Sequence, residues 1–154
     1  MQAISTVLAT TRATRANIRS IMDGLSLEQM NTIPRGFNNN ILWNAGHVVA
    51  TSLLLTYGLS GLEVPLGADL IPRFRKGTRP EGRYTEADLQ YILELLDSTL
   101  TRLELDYEAG IFQEFRAYRT SFGVELASVE DGIQFNVVHE SMHLGNMLSM
   151  RKLV

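Results

Sequence analysis

The sequence predicts an all-α protein, a four-helix bundle with a long crossover between its second and third helices. Three observations lead to this prediction. Apolar residues recur at helical spacing in four segments, capping residues or glycines bound those segments, and one long connection rich in proline and glycine follows the second segment. A chain of 154 residues is long enough for one real core, so a single domain over residues 1–154 is expected.

The first predicted helix runs from about Ala3 to Asp23, where apolar residues keep helical spacing. Gly24 is suited to end it with a left-handed cap, and Ser26 can cap a short turn over Leu27 to Asn31. Residues 1–20 are rich in Arg and Thr and lack acids, a composition shared by organelle transit peptides. The periodicity favours a first bundle helix instead, and a cytoplasmic location is the default expectation.

The second predicted helix, Ile41 to Gly58, is apolar nearly all round, which predicts burial on more than one side. One of the asparagines 38–40 can cap its start. Gly46 lacks a side chain, so another backbone could approach closely there. The connection from Gly61 to Tyr84 contains three prolines and is expected to lack regular structure. It could be a strap across the bundle, a functional loop, or both.

The last two predicted helices begin at similar capping sequences. The first of these, at Thr85, starts a helix to about Leu105 with a clean inner stripe of leucine and isoleucine. The other, at Ser128, starts a helix to about Lys152. Between them, residues 110–127 mix aromatic and charged side chains. The sequence leaves this segment open between an extended connection and a short hairpin.

Composition excludes several classes of function. The chain has no cysteine, so disulfides, thiolate metal sites and a cysteine nucleophile are ruled out, and any metal must be held by His, Asp, Glu or water. The formal charge is −3 and basic residues are scattered, which argues against a nucleic-acid partner. Arg73, Arg75, Lys76 and Arg79 form the densest basic cluster, which a solvated loop or a small acidic ligand explains as well as a phosphate backbone would. No apolar run is long enough to span a bilayer, so no membrane partner is expected.

The three histidines are the candidate functional residues. His139 and His143 are four residues apart on the last predicted helix, which places their Cβ atoms about 5–6 Å apart on one face. Two imidazoles so placed can bind one ion, whereas burying both unsatisfied would be unfavourable. His47 lies in the second predicted helix and could supply a third ligand, although hydrogen-bonded core histidines are the alternative. Three imidazoles leave one position open on zinc, or up to three on nickel, manganese or iron.

No second catalytic group stands out in the sequence. Glu140 follows His139, but one residue along a helix turns its side chain about 100° away, so it is expected to face solvent or a neighbouring helix. Asn44, Asn136 and Asn146 each lie three residues from a histidine, where they could orient an imidazole or contact a ligand, or make ordinary capping or interhelical hydrogen bonds. Because no carboxylate is placed as a general base, catalytic and cofactor-binding residues stay unassigned and the case for hydrolysis is weak.

The segments NILWNAGHVVAT and HESMHLGNMLSMRK resemble the DinB-like (DinB/YfiT) superfamily of bacterial proteins. That family has one histidine on its second helix and an H-x-x-x-H pair on its last. The resemblance implies a four-helix bundle, often a homodimer, that binds a divalent metal such as nickel or zinc through His47, His139 and His143. Some relatives are S-transferases or isomerases that use low-molecular-weight thiols, some are labelled metal-dependent hydrolases, and many have no established activity.

The leading functional hypothesis is a metal-centred enzyme, in which the open coordination site activates water or a thiol cofactor toward a small-molecule substrate. One alternative is a non-catalytic metal-binding or stress-associated bundle. Another is a plain helical interaction module whose histidines are packed in the core.

Overall fold

Four long helices form the framework of the chain in the computed structural model, which describes residues 2–154 and the side chains of residues 4–154. Two of them, over residues 2–23 and 41–53, each pack against both of the others, over residues 86–108 and 129–150, so the four form a bundle. The predicted all-α bundle is confirmed. The elements are α1 (Gln2–Asp23), α2 (Leu27–Asn31), α3 (Ile41–Leu53), α4 (Ile71–Phe74), α5 (Glu86–Glu108), β1 (Tyr118–Arg119), β2 (Glu125–Leu126) and α6 (Val129–Met150).

Side-chain caps determine where three of the bundle helices begin. Asn40 caps α3, while Thr85 and Ser128 each form a capping box at the start of α5 and α6, as predicted. The end of α1 differs from the prediction, because Gly24 does not adopt a positive φ and the left-handed cap is absent. Instead the Leu25 N–H donates to the carbonyl three residues back, at 3.1 Å, which tightens the last turn.

α3 is the most deeply buried helix, and every residue from Ile41 to Ala50 is buried between α5 and α6. Burial on more than one side is therefore confirmed. After Leu53 the helix widens into a π-helical turn, Leu54–Gly58, a feature often found at functional sites. Gly132 of α6 lies against this turn, where a Cβ atom would stand 2.6 Å from the carbonyl oxygen of Leu55. The glycine thus lets α6 approach the widened turn.

The connection from Gly61 to Tyr84 is not irregular throughout, so that prediction is wrong. It contains a 3-10 turn, Ala68–Leu70, followed directly by α4. Leu70 and Phe74 are 1% and 0% exposed, and their burial against the core favours helical turns in spite of the prolines. Pro72 lies in the first turn of α4, where a missing N–H costs no hydrogen bond.

The segment 110–127 contains a short antiparallel hairpin, which settles the choice that the sequence leaves open. β1 pairs with β2, and the Thr120 N–H donates to the Val124 carbonyl at 2.8 Å across the turn. Leu126 is 1% exposed and packs with Leu55 and Leu59, so the hairpin covers the π-helical turn. Within the described residues, no helix is long and apolar enough to cross a membrane.

Replacing Gly46 with alanine is expected to destabilise the fold. The new methyl group would overlap the ring of Phe74, so a side chain rather than a backbone fills the space predicted at this glycine. We expect the free energy of unfolding to fall by about 1–3 kcal/mol, the usual effect of overpacking a core. Chemical denaturation would measure it. Gly145 of α6 is the matched control, because a Cβ there meets nothing within 4 Å and alanine should stabilise by up to about 1 kcal/mol. Similar effects at the two glycines would contradict this account of Phe74.

Candidate metal centre

The packing of α3 against α6 brings the three histidines together. One ring nitrogen each from His47, His139 and His143 lies within 4.8 Å of the other two. The Nε2 atoms of His47 and His139 are 3.2 Å apart, and the ring centroids are separated by 4.6–5.0 Å. His47 and His143 are buried, whereas His139 is half-buried at the edge of the cluster. The expected convergence is present, and metal binding itself stays a prediction.

Hydrogen bonds to carbonyl groups fix the tautomers of two of the rings. Nδ1 of His47 donates to the backbone carbonyl of Phe74, and Nδ1 of His143 donates to Oδ1 of Asn44 at 2.7 Å. Because both partners can only accept, each ring carries its proton on Nδ1 and leaves the Nε2 lone pair free. This arrangement is usual for metal-binding histidines, whose outer nitrogen donates to a fixed acceptor.

Asn44 is itself held in one orientation. Its amide nitrogen donates to Oδ1 of Asn39 and to the carbonyl of Asn40, both at 2.8 Å, so its oxygen must face His143. Of the roles that the sequence leaves open for Asn44, this contact corresponds to orientation of an imidazole. The asparagines before α3 therefore both cap the helix and orient a histidine on α6.

The ring of His47 has two further neighbours. Trp43 stacks on it with centroids 4.5 Å apart and planes 12° apart, and the indole N–H donates to Oγ1 of Thr78 at 3.1 Å. On the other side, the hydroxyl of Thr51 lies 3.3 Å from Nε2 of His47. The stacking restrains the ring. Because the ring proton is on Nδ1, the Thr51 hydroxyl is the donor in its contact with Nε2.

Burial keeps the imidazoles neutral near pH 7. It lowers the pKa of His139 to about 3, with further lowering by His143 and His47, and it lowers the pKa of His143 to about 4 with a contribution from His47. Burial also lowers the pKa of His47, although the hydrogen bond to Phe74 acts in the opposite direction. Neutral rings are the form that ligates metals, so no proton has to be removed before an ion binds.

The cluster fits a divalent cation. Two imidazole nitrogens 3.2 Å apart repel each other if both present lone pairs, and a shared cation removes that repulsion. Nδ1 of His139 is buried and has no hydrogen-bond partner among the described residues, so no hydrogen bond at Nδ1 fixes the orientation of this ring. No further His, Asp or Glu of the described residues joins the cluster. The donor set thus suits a divalent metal ion and leaves coordination positions for a ligand.

A cleft of about 440 Å³ opens beside the histidines. The π-helical turn, α6 and the hairpin form its walls, and all three histidines line it. Small-molecule sites have volumes in this range and similarly apolar walls. None of the described residues that line it is Asp or Glu, in agreement with the missing general base. The apolar lining residues are Leu54, Leu55, Leu59, Phe122, Phe135 and Met142.

The comparison with protein families accounts for most of the chain. A model described as the DinB superfamily matches residues 10–147, a range that contains the three histidines and Asn44. The chain belongs to the DinB superfamily. Curated proteins give no match. Membership agrees with the helical bundle and with a three-histidine metal site, and it assigns no reaction to this DinB-superfamily chain.

Glu140 of this DinB-superfamily chain does not reach the histidine cluster. It is 0% exposed and pairs with Arg15 of α1, whose Nη2 lies 2.7 Å from Oε1. Of the two predicted surroundings, solvent is wrong and a neighbouring helix is right. Arg15 also donates to the Leu96 carbonyl at 2.9 Å and to Oγ1 of Thr99 at 3.0 Å. The ion pair thus joins α1, α5 and α6 in the core beside the histidine cluster.

Sequence reasoning missed Arg15, although a signal was present. Arg15 lies four residues after Thr11 and three before Ile18, both buried, so helical spacing places it inward. The other two candidate asparagines, Asn136 and Asn146, do not orient imidazoles. Nδ2 of Asn136 donates to Glu140 at 2.6 Å, and Asn146 is half-buried and forms none of the hydrogen bonds to the rings.

The stability of the metal-free DinB-superfamily protein is expected to fall as the pH is lowered from about 7 to about 5. The unfolded chain takes up histidine protons near pH 6.5, whereas His139 and His143 in the fold take them up only near pH 3–4. The stability that the neutral rings contribute is therefore complete above pH 6.5 and is lost as the pH falls. We expect a decrease of about 2–4 kcal/mol, measured by denaturation in a chelator. Most carboxylates titrate below this interval, so His139→Leu should flatten the slope. An unchanged slope would contradict the assignment.

Proposed function

We propose that this chain binds one divalent metal ion through His47, His139 and His143 and acts as a metal-dependent enzyme on a small molecule. Zinc and nickel suit the site best, and manganese and iron are the other candidates. The observation that carries the proposal is the convergence of three neutral imidazoles at the wall of a cleft, without a fourth protein ligand among the described residues. A bound ion would supply Lewis acidity, which lowers the pKa of a coordinated water or thiol.

The groups around the histidines position the rings and exclude water. The Phe74 carbonyl and the Asn44 side chain each accept from Nδ1 of one imidazole and leave its Nε2 without a proton, and Trp43 stacks on the ring that contacts Phe74. The apolar wall of the cleft excludes bulk water from one side of the cluster and leaves room for a substrate. Each of these groups is in place before a ligand arrives, so little reorganisation is needed on binding.

Between the two reaction classes of the family, thiol transfer is favoured over hydrolysis. A hydrolase usually needs a proton acceptor near the attacking water, and the described lining of the cleft contains no carboxylate. A low-molecular-weight thiol loses its proton far more readily than water, so it can become a nucleophile without such a group. We therefore propose an S-transferase-like reaction, with a thiol as co-substrate, ahead of a hydrolase-like one.

The same missing proton acceptor favours a second candidate function, a non-catalytic metal-binding or stress-associated bundle. Screening the metal-loaded protein with low-molecular-weight thiols and electrophiles separates the two. Turnover that disappears on chelation and returns with the metal would exclude the non-catalytic role. Binding of metal without turnover of any thiol and electrophile pair would favour it.

We also propose that residues 1–154 act as one domain of a cytoplasmic homodimer, without a nucleic-acid or membrane partner. Apolar side chains exposed along α6, such as Val138 at 49% and Leu148 at 39%, support an interface between copies. The formal charge of −3 disfavours association with a phosphate backbone. Sedimentation velocity would measure the assembly, and a concentration-independent monomer would contradict the dimer.

The metal proposal is tested by elemental analysis of untagged protein together with thermal unfolding. We expect about one divalent ion per chain and a melting temperature that falls on chelation, because an ion bound only by the folded state stabilises it. Protein that contains no divalent ion, and whose melting temperature is unaffected by zinc, nickel or a chelator, would refute the proposal.

A further inference from the structure

Two cationic side chains at the cleft have no carboxylate partner. Lys76, from the connection after α4, and Arg116, from the segment before β1, line the same cleft as the histidines. Among the side chains of residues 4–154, five arginines form ion pairs with Asp or Glu, and neither Lys76 nor Arg116 is in one of them. With no acidic residue in the described lining, the cleft carries an uncompensated positive charge.

The fold, rather than an ionic partner, determines where these charges lie. The backbone N–H of Arg116 donates to the Leu59 carbonyl at 2.7 Å, which fastens its segment to the end of the π-helical turn. Lys76 follows buried Phe74 by two residues and lies in a turn closed by the Thr78 N–H and the Arg75 carbonyl at 3.1 Å. Both cations are therefore presented from anchored backbone while their side chains stay exposed and free to bind.

The basic cluster of the sequence is divided by the structure. The Arg73 side chain forms its contacts outside the cleft. It pairs with Asp88 at 2.8 Å, and its guanidinium lies 5.3 Å from the ring centroid of Phe74. Arg73, Arg75 and Arg79 are absent from the described lining of the cleft, whereas Lys76 belongs to it. Of this cluster, Lys76 alone lies where it can contact a small acidic ligand in the cleft.

The apolar wall of the cleft favours a ligand with an apolar part. Phe122 and Phe135 meet edge to face with centroids 5.5 Å apart, and Phe122 is 54% exposed. Met142 is 42% exposed beside them. An inorganic anion bound by the two cations would leave this surface in water, whereas an organic ligand would bury it and gain hydrophobic stabilisation. The cleft is thus suited to a ligand that is anionic at one end and apolar in its body.

We propose that the cleft binds a small organic anion, whose carboxylate, sulfonate or phosphate group pairs with Lys76 and Arg116 and whose apolar body packs against Phe122 and Phe135. In the setting of the proposed function, such a ligand presents its remaining end to the histidines, so the inference specifies the substrate class of that site. Binding by the cations and the aromatic wall needs no metal, and this makes the inference separable from metal binding.

Fluorescence titration with 1-anilinonaphthalene-8-sulfonate tests the proposal on full-length protein kept in a chelator. The sulfonate is a poor metal ligand, and N-phenyl-1-naphthylamine offers the same aromatic body without the charge. We expect Lys76→Ala and Arg116→Ala each to weaken sulfonate binding by about two- to five-fold, the upper part of the range for an exposed ion pair. The neutral probe should bind these variants as it binds the unaltered protein. Added salt should weaken only the sulfonate.

Two further variants locate the probe. Phe122→Ala should weaken both probes, because it removes part of the apolar wall, and its exposure means that the fold tolerates the change. Lys152→Ala, an exposed cation that does not line the cleft, should leave both affinities unchanged. Circular dichroism and melting curves check that each variant is folded.

The proposal is overturned if Lys76→Ala and Arg116→Ala weaken the sulfonate no more than Lys152→Ala does, or if the charged and neutral probes respond alike. It is also overturned if Phe122→Ala changes neither affinity, because the probe then binds elsewhere. Loss of metal binding with these results intact would refute the metal function and leave the ligand class standing. The reverse outcome would remove the ligand class alone.

Discussion

Replacing His143 with alanine is expected to reduce the bound divalent metal from about one ion per chain to less than about a tenth. The three imidazoles are the whole protein donor set of the described cluster, so the variant retains two ligands. Loss of even an outer partner of a ligand lowers metal affinity by about 10–100-fold, and loss of a ligand should exceed that. Elemental analysis after exhaustive dialysis would measure the occupancy, and competition with a chromophoric chelator the affinity.

The controls for this experiment lie on the same helices. Gln134→Ala changes an exposed side chain of α6 outside the cluster and should leave the metal content unchanged. Asn44→Ala removes the acceptor for Nδ1 of His143 and should give an intermediate loss of about 10–100-fold in affinity. Full metal content in His143→Ala would show that the ion is bound elsewhere, and the proposed site would have to be abandoned.

Replacing Glu140 with leucine is expected to cause the largest loss of stability among single substitutions at charged residues. Arg15 would then be left charged at 1% exposure, with hydrogen bonds only to the Leu96 carbonyl and to Thr99. Removing one partner of a buried ion pair lowers the free energy of unfolding by about 3–5 kcal/mol, because the remaining charge has lost its compensation. Urea denaturation would measure the change.

An exposed ion pair between two of the same helices provides the matched comparison. Arg12 of α1 pairs with Glu104 of α5 at 2.8 Å, but the side chains are 44% and 40% exposed. Glu104→Leu should change the stability by no more than about 1 kcal/mol. The double variant Arg15→Met with Glu140→Leu should recover much of the loss, because it buries no unpaired charge. If Glu140→Leu were no worse than Glu104→Leu, the ion pair would not have the structural importance assigned to it.

The helices could be predicted because their signals are local. Apolar spacing and the caps at Thr85 and Ser128 depend only on neighbouring residues, and α5 and α6 begin where these signals place them. The 3-10 turn and α4 were missed because their stability comes from burial of Leu70 and Phe74 against α3, which three prolines in the same segment conceal. Contacts between segments far apart in the chain are not encoded in local patterns.

In the candidate site, too, the features with local signals could be predicted and those that depend on distant residues could not. The spacing of His139 and His143 on one helix indicates a shared ligand, and His47 on the second predicted helix offers a third donor that the family resemblance also implies. The hydrogen bonds that orient the rings could not be foreseen, because the acceptor from Phe74 is a backbone carbonyl and any residue could supply it. Glu140 follows His139 in the sequence, but helical spacing places it in the buried stripe of His143, three residues away.

A crystal structure of metal-loaded protein, with anomalous scattering collected at the absorption edge of the bound metal, tests the central claim most directly. The claim predicts a single anomalous peak from an ion that is bonded to one nitrogen of each of His47, His139 and His143, at about 2.0–2.1 Å for zinc. Its remaining ligands should come from solvent or a molecule in the cleft. A peak only at carboxylates elsewhere, with the three rings hydrogen-bonded to one another and no ion between them, would contradict it.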